Sequence, residues 1–554
     1  MVLTPAMRGM QFLRSQFSEP LLFLMGIAGL VLLIACANVA NLLLARAVAR
    51  RHEFATRVAI GASSTRLVRQ LLAEAVFVGI MGTAAGLVLA RWLLAAIAGS
   101  LGAGVLLPVA VTLNLSPDGR VVAFSALLCL GTSLLFGLAP ALRAARTDPV
   151  TDLKERGRIV SGRRRFGLTS ATALVVVQVA LSLVLLVTTS LLITTVTKLR
   201  AVDLGFQADG VSTFEIELLP TAGARDPLTR WRSVLDGVQR LPGVRAASLS
   251  WLMPLGTRDR SVGIRIPGAD AAGRQTPGAV LNHVSPDFFA TMGIPVNAGR
   301  AFAPRDDDHA PLVAIINQTA ARAYFGNANP IGQHLEVGSA VREIVGVAAD
   351  SKHVSLRDDP PRVVYLPVFQ PLDRMNSLTL AVRAGEGAGA LADAVRREVG
   401  TLGSDIFLGR ATTLRQQIDR ALLRERFMST VSAAFGALGV LLAAVGLFGV
   451  MSFTMQRRKH EMAMRLALGA TAADLRWRVL RQAISIAAIG IVCGVPIALV
   501  AARFLSRVLF GVQPANILIL IGCAVTLLAV AAFAAYVPAQ RASRVDPIAG
   551  LRAD

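Results

Sequence analysis

The sequence predicts an α-helical polytopic membrane protein: about seven transmembrane helices in two repeated blocks, with one α/β domain held outside the membrane. Three observations carry this. Of 554 residues, 54% are apolar and three are Tyr, a composition of membrane rather than soluble proteins. Seven segments hold about 20 apolar residues each, the length that crosses the hydrocarbon core. RHEFATRVAIGAS at 51–63 then returns as KHEMAMRLALGAT at 459–471, with seven identities in thirteen positions, which marks a duplicated unit.

The expected spans are 21–45, 71–98, 120–140, 169–195, 428–453, 481–508 and 517–537. Gly79, Gly82 and Gly86 in one span, and Gly436, Gly439, Gly446 and Gly449 in another, read as faces where helices approach closely. The competing reading is compositional bias in an Ala-rich chain. Cys36, Cys129, Cys493 and Cys523 all fall within spans and read as core residues; no disulfide framework or metal-ligand spacing is implied.

The net charge of +22 would suggest nucleic acid in a soluble protein, but its distribution excludes that. Residues 200–426 are nearly neutral, with 26 basic and 24 acidic side chains. The excess sits in short loops: six Arg in 46–70, eight Lys or Arg in 141–168 and seven in 454–481, against none in 99–119 or 508–516. By the positive-inside rule the basic loops and the C-terminus are cytoplasmic. Residues 1–20, 99–119, 196–427 and 508–516 then lie outside. The charge serves orientation, so no nucleic-acid partner is expected.

A second repeat, PALRAARTDPVTDLK (140–154) against PAQRASRVDPIAGLR (538–552), has eight identities in fifteen positions. The expected domains are an external N-terminal remnant (1–20), a first three-span block (21–155), a span and stalk (165–199), the external domain (200–425) and a second three-span block (426–554). The second half reads as one span, an external domain and three spans. The first half lacks the opening two parts, and residues 1–20 carry no signal-peptide pattern. The sequence is therefore expected to be a truncated product or a late-start gene model.

The external region alternates strands and helices. VSTFEIELL (211–219) has strand periodicity. Residues 227–240 form a helix capped by Asp226 with Pro227 at its first position, and an apolar stretch follows near 246–252. LVAIIN (312–317) ends on Asn317, which can cap the helix TAARAYF. REIVGVAAD (342–350), RVVYLPV (362–368) and SLTLAVRAG (377–385) read as strands, and a helix is expected near 388–399. Residues 413–427 look helical and run almost directly into the fifth span, so that a near-unbroken helix over 413–453 would join domain to membrane.

In each copy of the repeated loop a Glu precedes an Arg by four residues: Glu53 and Arg57, Glu461 and Arg465. That spacing places the pair on one helix face in the favourable orientation. Gly61 and Gly469 end the helices. Ser63 or Ser64, and Thr471 with Asp474, cap the next. Anchoring to lipid head groups explains the basic residues. Recurrence of His52, Glu53, Arg57 and Gly61 as His460, Glu461, Arg465 and Gly469 is better explained by one partner gripping both loops. Asp148-Pro149 and Asp546-Pro547 start further short helices.

No GxxxxGK[ST] loop occurs, so the chain does not bind ATP in the P-loop manner, and no HExxH, GxSxG or SxxK stands in a convincing place. The chain is not expected to be an enzyme or to hold a cofactor or metal. Asp306-Asp307-Asp308-His309 is the best metal candidate, though adjacent acids usually form a solvated turn. Arg91 and Arg503 lie near span ends and can snorkel, which argues against a charged ion pathway.

These residues carry a resemblance. IACANVANLLLARAVARRHEFATRVAIGASSTRLVRQLLAE (34–74) and GLFGVMSFTMQRRKHEMAMRLALGAT (446–471) resemble the FtsX-like permease domain of the MacB/FtsX superfamily of ABC transporters. NHVSPDFFATMGIPVNAGRAFAPRDD (282–307), with VAIINQTAARAYFG and REIVGVAAD, resembles the MacB-type periplasmic core domain. The tandem arrangement is similar to the duplicated permeases of Acidobacteria, which carry eight spans and two periplasmic domains. The resemblance implies a permease subunit in the bacterial inner membrane with residues 200–425 periplasmic. A separate ATPase dimer, holding the ATP, would grip the helices around Glu53–Arg57 and Glu461–Arg465 and tilt the stalks at 190–200 and 413–430. Efflux, or handling of lipoproteins or macrolide-like compounds, is the implied outcome. A second permease or a periplasmic partner is a further expectation. The alternative is a non-transporting transmitter that regulates an envelope enzyme or senses a ligand.

Overall fold

In the computed structural model the described residues are 11–49, 64–100, 118–128, 131, 170–219, 226–256, 261–267, 277–353, 355–370, 375–385, 388–457 and 459–543. The chain divides into two compact units, Met1–Thr197 with Glu425–Asp554, and Lys198–Arg424.

The first unit is helical. Among the described residues six helices are long and apolar enough to cross a membrane. They lie in α1 (Gln11–Ala49), α2 (Ser64–Ser100), α4 (Ser170–Arg200), α10 (Leu423–Arg457), α12 (Ala472–Phe504) and α13 (Ile517–Ala542). Of the expected third span only the short apolar helix α3, Gly119–Leu128, and residue 131 are described. Helix α1 begins ten residues before the expected start of its span. Asn516 caps α13 by accepting from the amides of Leu518 and Ile519, which closes off orphan donors at that end.

Helix α4 is the hub. Val175, Val179, Leu183, Val187 and Leu191 pack with Leu447 and Met451 of α10, Ala483 and Ala487 of α12, and Leu527 and Ala535 of α13. The small-residue expectation holds where helices touch. A Cβ at Gly436 would press on Thr189, and one at Gly490 or Gly494 on the α4 backbone at Val176 or Ala180. Gly82, Gly86 and Gly449 differ: nothing described lies within 4 Å of such a Cβ. Side-chain amides also tie α1 and α4 to α10. Asn38 Nδ2 and Gln178 Nε2 both donate to Leu442 O, at 2.8 and 2.6 Å, and Thr189 Oγ1 donates to Ser432 O at 2.8 Å. In hydrocarbon such groups need protein partners. Cys36 and Cys523 are buried as expected, whereas Cys493 is exposed, because it falls off the face that α12 turns inward.

Among the described residues the second unit forms one 12-stranded sheet with order β12-β1-β11-β2-β5-β10-β7-β9-β8-β4, β3 pairing with β5 and β6 with β9. The expected strands appear as β1 (Val211–Leu218), β2 (Val244–Ser250), β7 (Val313–Asn317), β9 (Ala340–Ala348), β10 (Val363–Pro367) and β11 (Ser377–Ala384). The short β3 (Ser261–Val262), β4 (Ile264–Arg265), β6 (Val296–Gly299) and β8 (His334–Val337), with β5 (Ala279–Val284) and β12 (Ile406–Thr413), complete it. The sheet is mixed: β5 and β10 run parallel, as do β7 and β9. Such pairs require crossovers.

The helices of this unit start where the sequence says. In α5, Pro227–Gln239, the Asp226 side chain accepts from the Leu228 amide. In α7, Gln318–Phe325, the Asn317 side chain accepts from the Ala320 amide. Trp231, Val234 and Val238 of α5 pack with Val395 and Val399 of α8 (Ala388–Leu402) over Phe214, Leu249 and Leu380. A second core gathers Phe288 and Phe289 of α6 (Phe288–Met292) around Tyr365.

The expected near-unbroken helix over 413–453 is present with one interruption: α9 spans Leu414–Ala421, Leu422 caps it, and α10 begins at Leu423. Thr413 opens α9 with a full capping box, its side chain accepting from the Gln416 amide and Gln416 answering to the Thr413 amide. At the other end the Leu422 amide reaches back to Ile418 O and Arg420 O, which tightens the last turn.

Candidate functional site

The second copy of the repeated loop forms α11, Lys459–Ala467. Glu461 Oε1 accepts from Arg465 Nε and Nη2 at 3.2 and 2.9 Å, the i,i+4 pair the spacing implies. Both side chains are roughly half exposed. The helix stops in a Schellman motif: the Ala470 amide bonds Arg465 O at 3.0 Å and the Gly469 amide bonds Leu466 O at 3.1 Å. Gly469 has φ +94°, a conformation that a Cβ would strain.

Two residues later α12 opens on a capping box. Thr471 Oγ1 accepts from the Asp474 amide, and Asp474 Oδ2 accepts from the Thr471 amide, both at 3.2 Å. The turn between α11 and α12 is thus sealed on both sides by hydrogen bonds that need Gly469, Thr471 and Asp474. Its inner face is fixed by packing, since Met462 and Ala463 are buried and Met462 clusters with Met455, Leu475, Val479 and Ala539. Glu461, Met464, Arg465 and Leu468 follow at i, i+3, i+4 and i+7 on the other face. Leu468 is 87% exposed and Met464 43%.

This outward stripe mixes an acid–base pair with two exposed apolar side chains. The Glu461–Arg465 pair and the Gly469 stop stand where the sequence pattern puts them, and Met464 and Leu468, three and seven residues on from Glu461, share the same face. His460 lies in the first turn of α11. The first-copy residues His52, Glu53, Arg57 and Gly61 lie outside the described residues, as do the tail motifs at 148–149 and 546–547.

The acidic run in the second unit is spent on structure. Arg300 grips Asp306 with two bonds of 2.6 and 2.8 Å, and the Ala303 amide adds a third. Burial pushes the Asp306 carboxyl up, but these bonds outweigh it and hold it below the usual range. Asp307 accepts from the His309 amide and Asp308 from Arg232. The three acids therefore face three different partners. Among the described residues no group of three or more His, Cys, Asp or Glu could hold a metal.

Comparison with known proteins matches this architecture. The model of the MacB-like periplasmic core domain matches residues 172–399, and that of the FtsX-like permease C-terminal domain matches twice, at 25–149 and 433–547. The chain belongs to the MacB/FtsX-type ABC permeases. The double match coincides with the internal repeat, and the permease is a multi-pass inner-membrane protein with a periplasmic core domain. It is 25% identical over 301 residues to a macrolide export ATP-binding/permease protein, MacB 2, of Aeromonas hydrophila, covering 52% of this chain and 45% of that one. A pyoverdine export ATP-binding/permease protein, PvdT, of Pseudomonas aeruginosa is 26% identical over 277 residues, 48% of this chain and 41% of that one. The chain thus spans less than half the length of these curated relatives. The periplasmic region of MacB from Actinobacillus actinomycetemcomitans aligns at 14% identity, covering 38% of this chain and 91% of that one, with a TM-score of 0.28, a likeness too weak to argue from.

Proposed function

We propose that the permease is the membrane subunit of an ABC exporter, driven by a separate ATPase that docks on the outward stripe of α11 and on its counterpart at residues 51–63. The carrying observation is the sealed α11–α12 turn. A helix held between a Schellman motif and a capping box, packed on one side and open on the other, passes a push into α12 instead of absorbing it. In this reading the basic loops and the C-terminus face the cytoplasm, where ATP is bound by the partner. ATP-driven closure of that partner tilts α4 and α10, and the periplasmic domain follows through its two connections to them.

Relatives of nearly equal identity are named for export of a macrolide and of pyoverdine, so the cargo of this chain is not fixed by family. Support for an ATP-driven permease comes from relatives that join ATP-binding and permease functions by name.

The test is co-purification with MacB-type ATPases of the same organism. Wild-type chain is expected to retain one of them, and Glu461→Arg and Gly469→Pro to lose it. The Glu461–Arg465 pair is half exposed, so replacing it with two like charges costs the helix only ~0.5 kcal/mol. An ATPase lost in Glu461→Arg would therefore report on docking rather than on unfolding, whereas Gly469→Pro breaks the turn itself. Undiminished binding in both variants sinks the assignment of α11.

A further inference from the structure

We propose that the permease's periplasmic domain is driven through a clasp, built around Arg383 and Thr213, that makes its incoming and outgoing connections move as one; this rests on the proposed function and deepens it. Strands β1 and β12 are antiparallel neighbours, with Ser212 opposite Thr413. The segment that follows α4 and the start of α9 therefore meet the sheet at the same end, about 5 Å apart. Any load from the spans arrives at this one pair of strand ends.

Loading direction decides what resists. Hydrogen bonds between antiparallel strands lie across them. A pull shared by both ends moves the two strands together and leaves the rungs between them unstrained, whereas splaying the ends peels the rungs singly from the Ser212–Thr413 end, where the Thr213–Thr412 pair comes next. That rung is reinforced: Thr213 Oγ1 lies 2.9 Å from Thr412 Oγ1 and 3.0 Å from its carbonyl oxygen, and Gln417 Nε2 of α9 donates to Thr213 Oγ1 at 3.0 Å.

The incoming segment has no helix or strand of its own between Arg200 and Val211, yet it is pinned. Arg383 of β11 donates from Nη2 to Gln207 O at 2.9 Å, from Nη1 to Asp209 O at 3.2 Å, and from Nε to Thr291 O at 2.8 Å. The Lys352 amide donates to Leu204 O at 2.9 Å, and Gly205, at φ +70°, lies so close to the Asp350 carbonyl that a Cβ would collide with it. A guanidinium whose fork is spent on three backbone carbonyls turns a loop into a rigid link; Lys has no such fork. Arg415 adds a bond of 2.8 Å to Asp209, but that pair is exposed on both sides and contributes little.

The test uses the full chain with its bound ATPase in lipid nanodiscs, followed by amide hydrogen exchange with and without ATP and vanadate. The variants are Arg383→Gln and Thr213→Val, the second nearly isosteric and favourable in a strand. Both are expected to keep ATPase binding and hydrolysis near wild type. Exchange in 203–213 should rise about fivefold, the equivalent of one net hydrogen bond. The nucleotide-dependent change in strands β2, β5 and β9 should be lost. A nucleotide response of those strands that survives undiminished in both variants overturns the clasp alone. A wild-type chain that binds no ATPase overturns the proposed function, and the clasp with it.

Discussion

Gly446 of α10 faces the two amides that tie α1 and α4 to that helix. A Cβ placed there would collide with Asn38 Oδ1 and with the Gln178 head group, both of which are buried. Gly446→Ala therefore forces both side chains away from Leu442 O, where they sit at 2.8 and 2.6 Å. Each interhelical bond is worth ~0.6 kcal/mol in a membrane, and overpacking a tight contact costs ~1–3 kcal/mol. Better helix propensity returns about 1 kcal/mol. The net expectation is a loss of about 1–3 kcal/mol. Gly449→Ala, one turn on and with nothing described within 4 Å, retains only the propensity term and should match or exceed wild type. Unfolding in detergent micelles against rising SDS, read on both variants, supplies the comparison. Adding Gln178→Ala to Gly446→Ala should recover part of the loss, as coupled neighbours do. If Gly446→Ala is as stable as Gly449→Ala, the account of the α4–α10 contact is wrong.

Three other outcomes are expected. Burial pushes the His353 imidazole down to about 4 against the opposing Ser351 bond, so the folded domain binds this proton more weakly than the unfolded chain. Stability from this group is present above pH ~6.5 and is lost as pH falls toward the folded value, by up to about 3 kcal/mol. Hydrogen exchange of β10 between pH 7.5 and pH 4.5, corrected for intrinsic rates, should show a slope that His353→Gln flattens, and an unchanged slope refutes it. Arg342 is fully buried, and none of its guanidinium nitrogens has a hydrogen-bond partner among the described residues. Arg342→Met should raise the domain's unfolding midpoint, since removing an uncompensated buried charge returns ~1–3 kcal/mol; a lowered midpoint contradicts this. Thr471→Ala should cost ~1 kcal/mol through the lost cap and speed exchange in the α11–α12 turn, whereas Thr471→Ser should not. Equal exchange in the two variants would show that the box does not hold the turn.

Much of the fold was legible because local chemistry and tertiary need agree. Asp226 with Pro227, Asn317, and Thr471 with Asp474 announce helix starts in sequence, and each side chain accepts the amide bond expected of it. The Glu461–Arg465 pair and the Gly469 stop were legible for the same reason. Leu422 was not. It carries no Pro or Gly to mark a break, and the interruption shows only as the change from α9 to α10. The amides of Asn38 and Gln178 were equally silent, since polar residues inside an apolar span say nothing of the neighbour they bond.

Short-range rules thus let the sequence determine the caps and the acid–base pair, because each depends on residues within a turn or two of one another; the spans follow from unbroken apolar runs and the repeat from direct comparison of segments. The outward position of Met464 and Leu468, the Leu442 carbonyl shared by two amides, and the adjacency of β1 and β12 depend on partners up to 404 residues away. Sequence spacing does not encode such distances, so only the packed chain could decide them.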